Sequence, residues 1–474
     1  SLGNVDSIRM KVIVGYDLAM KPIYQDVNNV IQDVTGDILI DAPDNKSGVV
    51  NYPEYPIFTS RGNSYVYYDH PSIFGGVYKR SRDFYFRIEP YVLDSLDNFS
   101  KEGMKFNGFL SSAKIFPNIN EKLVLQPDFS LGFTHDVPDA GFPAYGGKGK
   151  FSRLLNLSNQ GLRGKGHVKY LSATVTSEDI IFFPDSMDAV DDFTIEAQAA
   201  PASFPNVEGK AIKVNWQPYK DVMYASNTAN QFDMYSKQAN FNGLLSLTPK
   251  KLSGNGMINF PTADNSSKNF TFYQMLAHAD TSCFRLKSSL DRQITVKTNN
   301  VKSDINFATR IGDFKTNDTA VITEFPENRY IAKIDLLKWY MNKDELVMSS
   351  ARKNVVPQEG KLYGFKDEPL IGARFVSTAP LQDSLWFVSG SAVYINKTKS
   401  IEASKVKYLD IADARIFPNQ EKIVIDSISK VQLLYKSKIL ANRETRFHNI
   451  YDATVDIASR KMYKAWGKYD YIPV

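Results

Sequence analysis

The histidine and cysteine side chains of this chain are the groups best suited to acid–base, nucleophilic or metal chemistry. The histidines lie far apart in the sequence and form neither an HExxH motif nor a pair at metal-ligand spacing: His70, His135, His167, His278 and His448. Cys283 is the only cysteine, so no disulfide can form within the chain. Its alternating, strand-like surroundings predict a small buried side chain on the face opposite to His278. We expect structural roles for the histidines and no nucleophilic role for Cys283.

Two aspartate-rich segments are candidates for Ca²⁺ binding through loop oxygens. The aspartates of these two segments are Asp185, Asp188, Asp191 and Asp192, and then Asp41 and Asp44. Neither segment has EF-hand spacing, so solvated turns are the preferred interpretation. A glycosidase-type pair would need two carboxylates facing each other across a groove, and the sequence identifies no such pair. We therefore expect no bound metal ion, no other cofactor and no enzymatic activity.

The segment Gly146-Gly147-Lys148-Gly149-Lys150 has the composition of a phosphate-binding loop. However, its spacing from Gly141 is wrong for that motif, and no Ser or Thr follows a lysine there. Strand-like sequence flanks the segment on both sides. Its glycines therefore predict a β-bulge or a close approach of two backbones.

The strands that would position these side chains come from a sequence segment that is repeated within the chain. Residues 157–182 align without a gap with residues 247–272, at an offset of 90 positions, and seven of the 26 aligned positions are identical. The identical residues include Gly164 and Gly254, Gly166 and Gly256, Ala173 and Ala263, Ser177 and Ser267, and Phe182 and Phe272. A further echo links the segment AKIFPNINEKLVL from Ala113 to ARIFPNQEKIVI from Ala414. The spacing between these similar segments varies. We therefore infer that the repeating unit is about the size of a β-hairpin and that insertions of variable length separate its copies.

Composition supports a β protein. The chain has 474 residues with 26 Tyr and 30 Phe, and aromatic residues favour strands. Its 57 Lys and Arg are scattered among 52 Asp and Glu, for a net charge of +5, so no basic face for nucleic acid stands out. No run of about 18 apolar residues occurs, so we expect no helical membrane span.

The predicted fold is all-β, built from stacked antiparallel β repeats of solenoid or β-jellyroll type with few short helices. Three zones are expected: a β-rich region with long loops at residues 1–150, the tandem repeat at 151–326, and further β repeats at 327–474. In the third zone, Asn342-Lys343-Asp344 predicts a hairpin turn. An amphipathic helix over residues 331–340 is the alternative.

Two patterns resemble known envelope proteins. Residues 394–408 and 451–469 share one pattern: a strand, an Asn-Lys or acidic turn, and then I-x-A-x-x-V-x-Y. This pattern is similar to that of the OstA-like β-jellyroll repeats of lipopolysaccharide-transport proteins. A second resemblance, to large exported Bacteroidota proteins of unknown function, is carried by five segments: SLGF from Ser130, YGGKGKF from Tyr145, LSNQGLRGKG from Leu157, FFPDSM from Phe182 and VKYLDIADARIFPN from Val406. The resemblance implies a periplasmic, outer-membrane-associated or cell-surface location, and it supplies no active site.

A third pattern concerns modification. The triplet of Asp, Ser or Thr, and an aliphatic residue resembles the O-glycosylation acceptor of exported Bacteroidota proteins. Its acceptor positions are Ser7, Ser95, Ser186, Thr319, Ser384 and Ser427. The alternative is that Asp-Ser pairs are ordinary turn residues whose side chains bind the backbone.

Three functions remain open. The first is a non-enzymatic envelope scaffold or accessory subunit that binds other outer-membrane proteins. The second is a lipid-binding or lipid-transport groove, which would show rows of apolar side chains lining an open interior. The third, a carbohydrate-binding or carbohydrate-cleaving solenoid, would show a surface strip of Tyr and Trp, yet the tryptophans are widely spaced: Trp216, Trp339, Trp386 and Trp466.

Overall fold

A computed structural model describes residues 5–40, 55–354, 369–442, 445 and 447–471. In these ranges the chain forms 41 β-strands, which pair antiparallel with their neighbours, and six short 3₁₀ helices. The all-β prediction, with stacked antiparallel strands and few short helices, is confirmed. Alternating Val, Ile, Phe and Tyr place every second side chain of a strand inward, and these side chains form the core.

The strands of the first half of the chain are β1 Val5–Ile8, β2 Lys11–Tyr16, β3 Pro22–Asp26, β4 Ile31–Val34, β5 Gly36–Leu39, β6 Ile57–Ser60, β7 Ser64–Val66, β8 Phe84–Ile88, β9 Val92–Leu93, β10 Lys105–Ser112, β11 Ile119–Leu125, β12 Leu131–Ala144, β13 Gly149–Ser158, β14 Gly161–Tyr170, β15 Ala173–Phe182, β16 Met187–Ile195, β17 Val207–Gln217 and β18 Val222–Ser226.

The remaining strands are β19 Phe232–Met234, β20 Ala239–Leu247, β21 Leu252–Asn259, β22 Ala263–Phe272, β23 Leu276–Lys287, β24 Ile294–Asn306, β25 Ile311–Thr316, β26 Thr323–Phe325, β27 Tyr330–Ala332, β28 Leu336–Tyr340, β29 Glu345–Ser349, β30 Lys353–Asn354, β31 Leu370–Ile371, β32 Ala373–Ser377, β33 Trp386–Ser389, β34 Ser391–Ile395, β35 Ser400–Ser404, β36 Leu409–Ile411, β37 Ala414–Phe417, β38 Ile423–Ile425, β39 Leu434–Ala441, β40 His448–Ser459 and β41 Met462–Tyr469.

The helices are single 3₁₀ turns between strands: Arg80–Arg82, Leu96–Asn98, Lys101–Gly103, Pro218–Lys220, Pro380–Gln382 and Asn419–Glu421. Within the described ranges, none of the helices has the length and apolar character needed to cross a membrane.

Contacts group the chain into two compact units. One contains the residues up to Glu196 together with Glu208–Asn230 and Ser246–Pro249. The other contains Ala197–Val207, Gln231–Leu245 and the chain from Lys250 onwards. The three-zone division of the sequence stays a prediction.

The repeat seen in the sequence is a pair of hairpins with the same register. In the first copy Leu162 lies opposite Phe182, and in the second copy Leu252 lies opposite Phe272. Each hairpin has one register shift, which lies between Gly164 and Gly166 in the first copy and between Gly254 and Gly256 in the second. The duplicated sequence therefore encodes a duplicated β-bulge as well as duplicated strands.

The shared glycines allow two close approaches in each copy. Gly166 and Gly256 have φ of +150° and +158°, and a Cβ there would collide with a backbone carbonyl oxygen of the preceding strand. Gly164 and Gly254 instead leave room for phenylalanine rings of the core. The ring pair has nearly the same geometry in both copies, with centroids 5.2 Å apart in one and 5.4 Å in the other. Glycine is thus required at both positions by packing and by backbone conformation.

The shared serines satisfy the backbone at the bulges. Ser177 Oγ accepts a hydrogen bond from the Asp179 amide and donates one to the Val190 carbonyl oxygen. Ser267 Oγ makes the equivalent bonds in the second copy, with Asn269 N and Thr281 O. A bulge leaves backbone groups outside the ladder, so these hydroxyl groups replace part of the missing pairing.

The interior of each copy is filled by aromatic rings. In the first unit the buried Trp216 lies 5.2 Å from the ring centroids of both Tyr145 and Tyr170. In the second unit the buried Trp339 lies 5.1 Å from the centroid of Phe260, which is the repeat equivalent of Tyr170. Close ring packing of this kind stabilises the core beyond the area that it buries.

The predicted turn at Asn342-Lys343-Asp344 is confirmed. It connects β28 to β29, whose register pairs Tyr340 with Glu345. The alternative helix over residues 331–340 is wrong, because this segment contains parts of β27 and β28. Leu337 and Trp339 alternate inward in β28, and that period of two is a strand period.

Candidate functional site

Each histidine has a hydrogen-bond partner close to it in the fold. The partners of the ring nitrogens are Ser72 for His70, Glu121 for His135, Thr176 for His167, Asp304 and Asp280 for His278, and Tyr469 for His448. Partial burial raises the pKa of Glu121, but the hydrogen bond with His135 and that from the Lys122 amide lower it by more. Among the described residues, no group of three or more His, Cys, Asp and Glu is arranged to hold a metal ion.

The prediction that the Cys283 side chain is buried is wrong, because this side chain is exposed. The register of β23 slips against its neighbour β24 between Ala279 and Ser282. Because of this slip, Ala277 and Ala279 point inward before it, whereas Ser282 and Phe284 point inward after it. Cys283 and His278 therefore both point away from the core, and they do not lie on opposite faces.

Two aspartates of the PDSMDAVDDF segment have hydrogen-bond partners in the protein. Asp185 forms a two-bond ion pair with Arg82, at 2.6 and 2.7 Å, which holds the pKa of Asp185 below its usual value. Asp188 accepts a hydrogen bond of 2.6 Å from Asn215. Asp191 and Asp192 follow on β16. The second candidate segment, with Asp41 and Asp44, lies outside the described residues.

The glycine-rich segment forms the turn between β12 and β13. Gly146 and Gly147 have φ of +67° and +87°. A Cβ at Gly149 would meet the Lys169 carbonyl oxygen and the Trp216 ring. Lys148 forms an ion pair of 2.8 Å with Asp221. The close backbone approach predicted from the sequence is thus present, and the lysine has a protein carboxylate as its partner.

The six Asp-Ser/Thr triplets lie mostly in turns. Ser7 is in β1, whereas the other acceptors precede, follow or form turns: Ser95, Ser186, Thr319, Ser384 and Ser427. The acceptors Ser7, Thr319 and Ser384 are exposed, and the other three are half-buried. In the last triplet Asp426 accepts hydrogen bonds from the amides of Ile428 and Lys430. A role in the turn is therefore visible for this aspartate, and glycosylation stays a prediction.

The most exposed apolar strand of the described chain is β41. It is the outer strand of a five-stranded sheet with the order β36-β37-β39-β40-β41. No described strand pairs with its second side. Met462, Trp466 and Tyr469 are 56%, 60% and 47% exposed, and every residue of β41 except Tyr463 is classed as exposed. An unpaired edge with large apolar side chains is a ready site for another chain.

The pairing of β40 with β41 shows where the core stops. Ala465 lies opposite Val455, yet Val455 is fully buried and Ala465 is exposed. Trp466, on the other face, lies opposite Thr454. The core therefore covers β40 but does not cover β41, which is left open on its edge and on both faces.

Charged groups surround the exposed tryptophan. Lys464 and Lys468 occupy the positions two residues before and after Trp466, so they project on the same face of the strand. Lys468 forms an ion pair of 2.8 Å with Asp452, and this contact lowers the pKa of Asp452 and raises that of Lys468. The apolar edge strand is thus bordered by lysines on the face that carries its tryptophan.

Trp466 is the one tryptophan of the four that is largely exposed. Trp216 and Trp339 are buried in the two units, and Trp386 is partly buried under the Arg374 guanidinium, which lies 4.3 Å from its ring centroid. The period of two in this segment indicated strands, but no sequence signal showed that β41 would lie at an edge.

No protein-family model matches this chain, and neither a curated protein nor a solved structure does.

Proposed function

We propose that this chain is a non-enzymatic interaction protein of the cell envelope that binds another protein through β41. The observation that carries the proposal is the exposure of this edge strand, with Trp466 at 60% and Tyr469 at 47%. Partner segments commonly add a strand to such an edge, where the backbone supplies affinity and alternate side chains supply specificity. Tryptophan and tyrosine are also the side chains most often found at the energetic centres of interfaces.

The charge of the edge indicates the chemistry of the partner. In an antiparallel pair of two copies centred on Trp466, Lys464 of each copy would lie opposite Lys468 of the other, and like charges on paired strands are unfavourable. An extended segment with acidic and apolar side chains would instead complement the lysines and cover Trp466. We therefore propose a different protein, and not a second copy of this chain, as the partner.

The proposed envelope setting is supported by sequence alone. It follows from the resemblance to exported Bacteroidota proteins and from the Asp-Ser/Thr triplets. Exposed acceptor residues at Ser7, Thr319 and Ser384 are compatible with modification.

A lipid groove is the second candidate, and its sign would be an open apolar interior. The interiors of the two repeat copies are instead filled by ring pairs such as Phe151 with Phe182 and Phe241 with Phe272. This packing favours the interaction role over lipid transport through these two segments.

The proposal is tested by purifying the protein from its native source under mild detergent and identifying stoichiometric partners by mass spectrometry. Trp466→Glu removes the aromatic contact and places a carboxylate against an acidic partner. We expect this variant to retain about one tenth of the partner or less, as for a central interface residue. Leu336→Glu on β28 is the matched control, since Leu336 is 50% exposed, and it should retain the partner.

Two results would contradict the proposal. One is equal recovery of the same partner by both variants, and the other is near-stoichiometric lipid with no protein partner. The second result would support the transport function.

A further inference from the structure

A cavity of about 480 Å³ lies in the second unit, beside the second copy of the repeat. Its volume is in the usual range for small-molecule sites, about 300–1,000 Å³. The cavity is lined by the turns that connect β19 to β20 and β21 to β22, by the adjoining ends of β20, β21 and β23, and by the loop that follows β23. Three of the lining side chains are cationic, namely Lys237, Lys287 and Arg292, and none of its described lining residues is acidic.

The cations around the cavity outnumber the carboxylates that face them. Asp264 is fully buried, and it pairs with Arg285 Nε at 2.6 Å and with Lys287 Nζ at 2.5 Å. One carboxylate thus faces two cations, while Lys237 and Arg292 are exposed at the cavity. Asp233, which accepts a hydrogen bond from the lining residue Asn240, offsets one charge. Asp344 is bonded to Thr262, Asp291 is paired with Lys399, and neither is a lining residue. The lining itself is therefore positive, and a positive concave site concentrates anions.

A buried amide group adds a hydrogen-bond donor to the lining. Asn259 lines the cavity, and its Nδ2 atom is buried without a hydrogen-bond partner among the described residues. Buried donors are nearly always satisfied in folded proteins, so one that lines a cavity is free to donate to a water molecule or to an acceptor atom of a ligand. Gln238 and Asn240 supply further amide groups beside it, and amides suit hydroxyl groups.

The fold of the repeat does not need these cations. The Lys287 amide donates to the Thr262 carbonyl oxygen, and at the equivalent point of the first copy the Glu196 amide donates to Ser172. The two residues make the same backbone hydrogen bond, but the side chains of Lys287 and Glu196 have opposite charges. Lys237 likewise corresponds to Gly147, at the offset of 90 residues. The positive lining is therefore specific to the second copy, and strand pairing does not explain it.

We propose that this cavity binds a hydroxylated anion of the size of a sugar phosphate or an acidic sugar. Lys237, Lys287 and Arg292 bind its phosphate or carboxylate group through charge-assisted hydrogen bonds. Asn259 donates to one of its oxygen atoms. The site is separate from β41 and does not depend on the docking function proposed above.

The test is isothermal titration calorimetry of the full chain at low salt with three probes: glucose 6-phosphate, inorganic phosphate and glucose. We expect saturable one-to-one binding of glucose 6-phosphate, weaker binding of phosphate and no binding of glucose. The double variant Lys237→Gln and Arg292→Gln, at two exposed positions, should weaken glucose 6-phosphate binding about tenfold or more. Lys268→Gln, an exposed lysine of β22 that does not line the cavity, is the matched control.

The melting temperature of each variant shows whether it is folded. The proposal is overturned if neither glucose 6-phosphate nor phosphate binds saturably to the wild-type chain. It is also overturned if the folded double variant binds as tightly as Lys268→Gln, because the binding would then be non-specific.

Discussion

At the scale of single residues, the identical positions of the repeat are explained by backbone and packing constraints. Gly164 and Gly254 make room for rings, whereas Ser177 and Ser267 satisfy amides at the bulges. These residue types could be aligned from the sequence because only glycine lacks a Cβ and few residue types have a short side chain that both accepts and donates a hydrogen bond. The cavity residues could not be found that way, since Lys287 and its equivalent Glu196 share a backbone position and differ in charge.

The bulge glycines should be sensitive to the addition of a single methyl group. Gly256→Ala places a Cβ against the Asn242 carbonyl oxygen at a φ of +158°. Strain at such a position lowers the free energy of unfolding by about 1–3 kcal/mol, and urea unfolding of the variant measures the loss. Gly166→Ala should give a similar loss, because Gly166 has the same role in the first copy.

Gly15→Ala is the control for these variants, since nothing lies within 4 Å of a Cβ there. It should change the free energy of unfolding by no more than about 0.5 kcal/mol. A Gly256→Ala variant as stable as Gly15→Ala would contradict the duplicated framework.

At the scale of elements, the sequence predicted strands and turns better than it predicted the faces of strands. The hairpin of β28 and β29 followed from an alternating pattern interrupted by Asn342-Lys343-Asp344. The face on which Cys283 lies could not be predicted from the sequence. One register slip in β23 moves every later side chain of the strand to the opposite face, and a bulge without glycine has no clear sequence signal. The exposure of Cys283 therefore depends on the register in which β23 pairs with β24.

The slip in β23 has a direct chemical consequence. In the folded chain Cys283 should react with Ellman's reagent at a rate close to that of an exposed model thiol, with one thiol per chain. Cys283→Ser should give no reaction and keep the melting temperature. A thiol that reacts only after denaturant is added would show that Cys283 is buried and that the slip is absent.

At the scale of the whole molecule, the all-β class could be predicted from composition and repeats, but the open edge could not. Which strand lies at the edge of a sheet depends on the pairing of β36, β37, β39 and β40, and these strands are separated by loops of variable length. The period of two in burial is clear in β36 and in residues 453–457 of β40, and it does not mark which strand is outermost. Only the order of the strands shows that Trp466 lies on a strand with one partner.

Hydrogen–deuterium exchange measures whether a partner binds through the edge of β41. The chain is purified with its partner from the native source, and the exchange of residues 462–469 is compared before and after the partner is removed. Strand addition predicts that amides of β41 are protected in the complex and exchange rapidly in the separated chain, with little change in β13–β16. Equal exchange of β41 in the two states would contradict the claim.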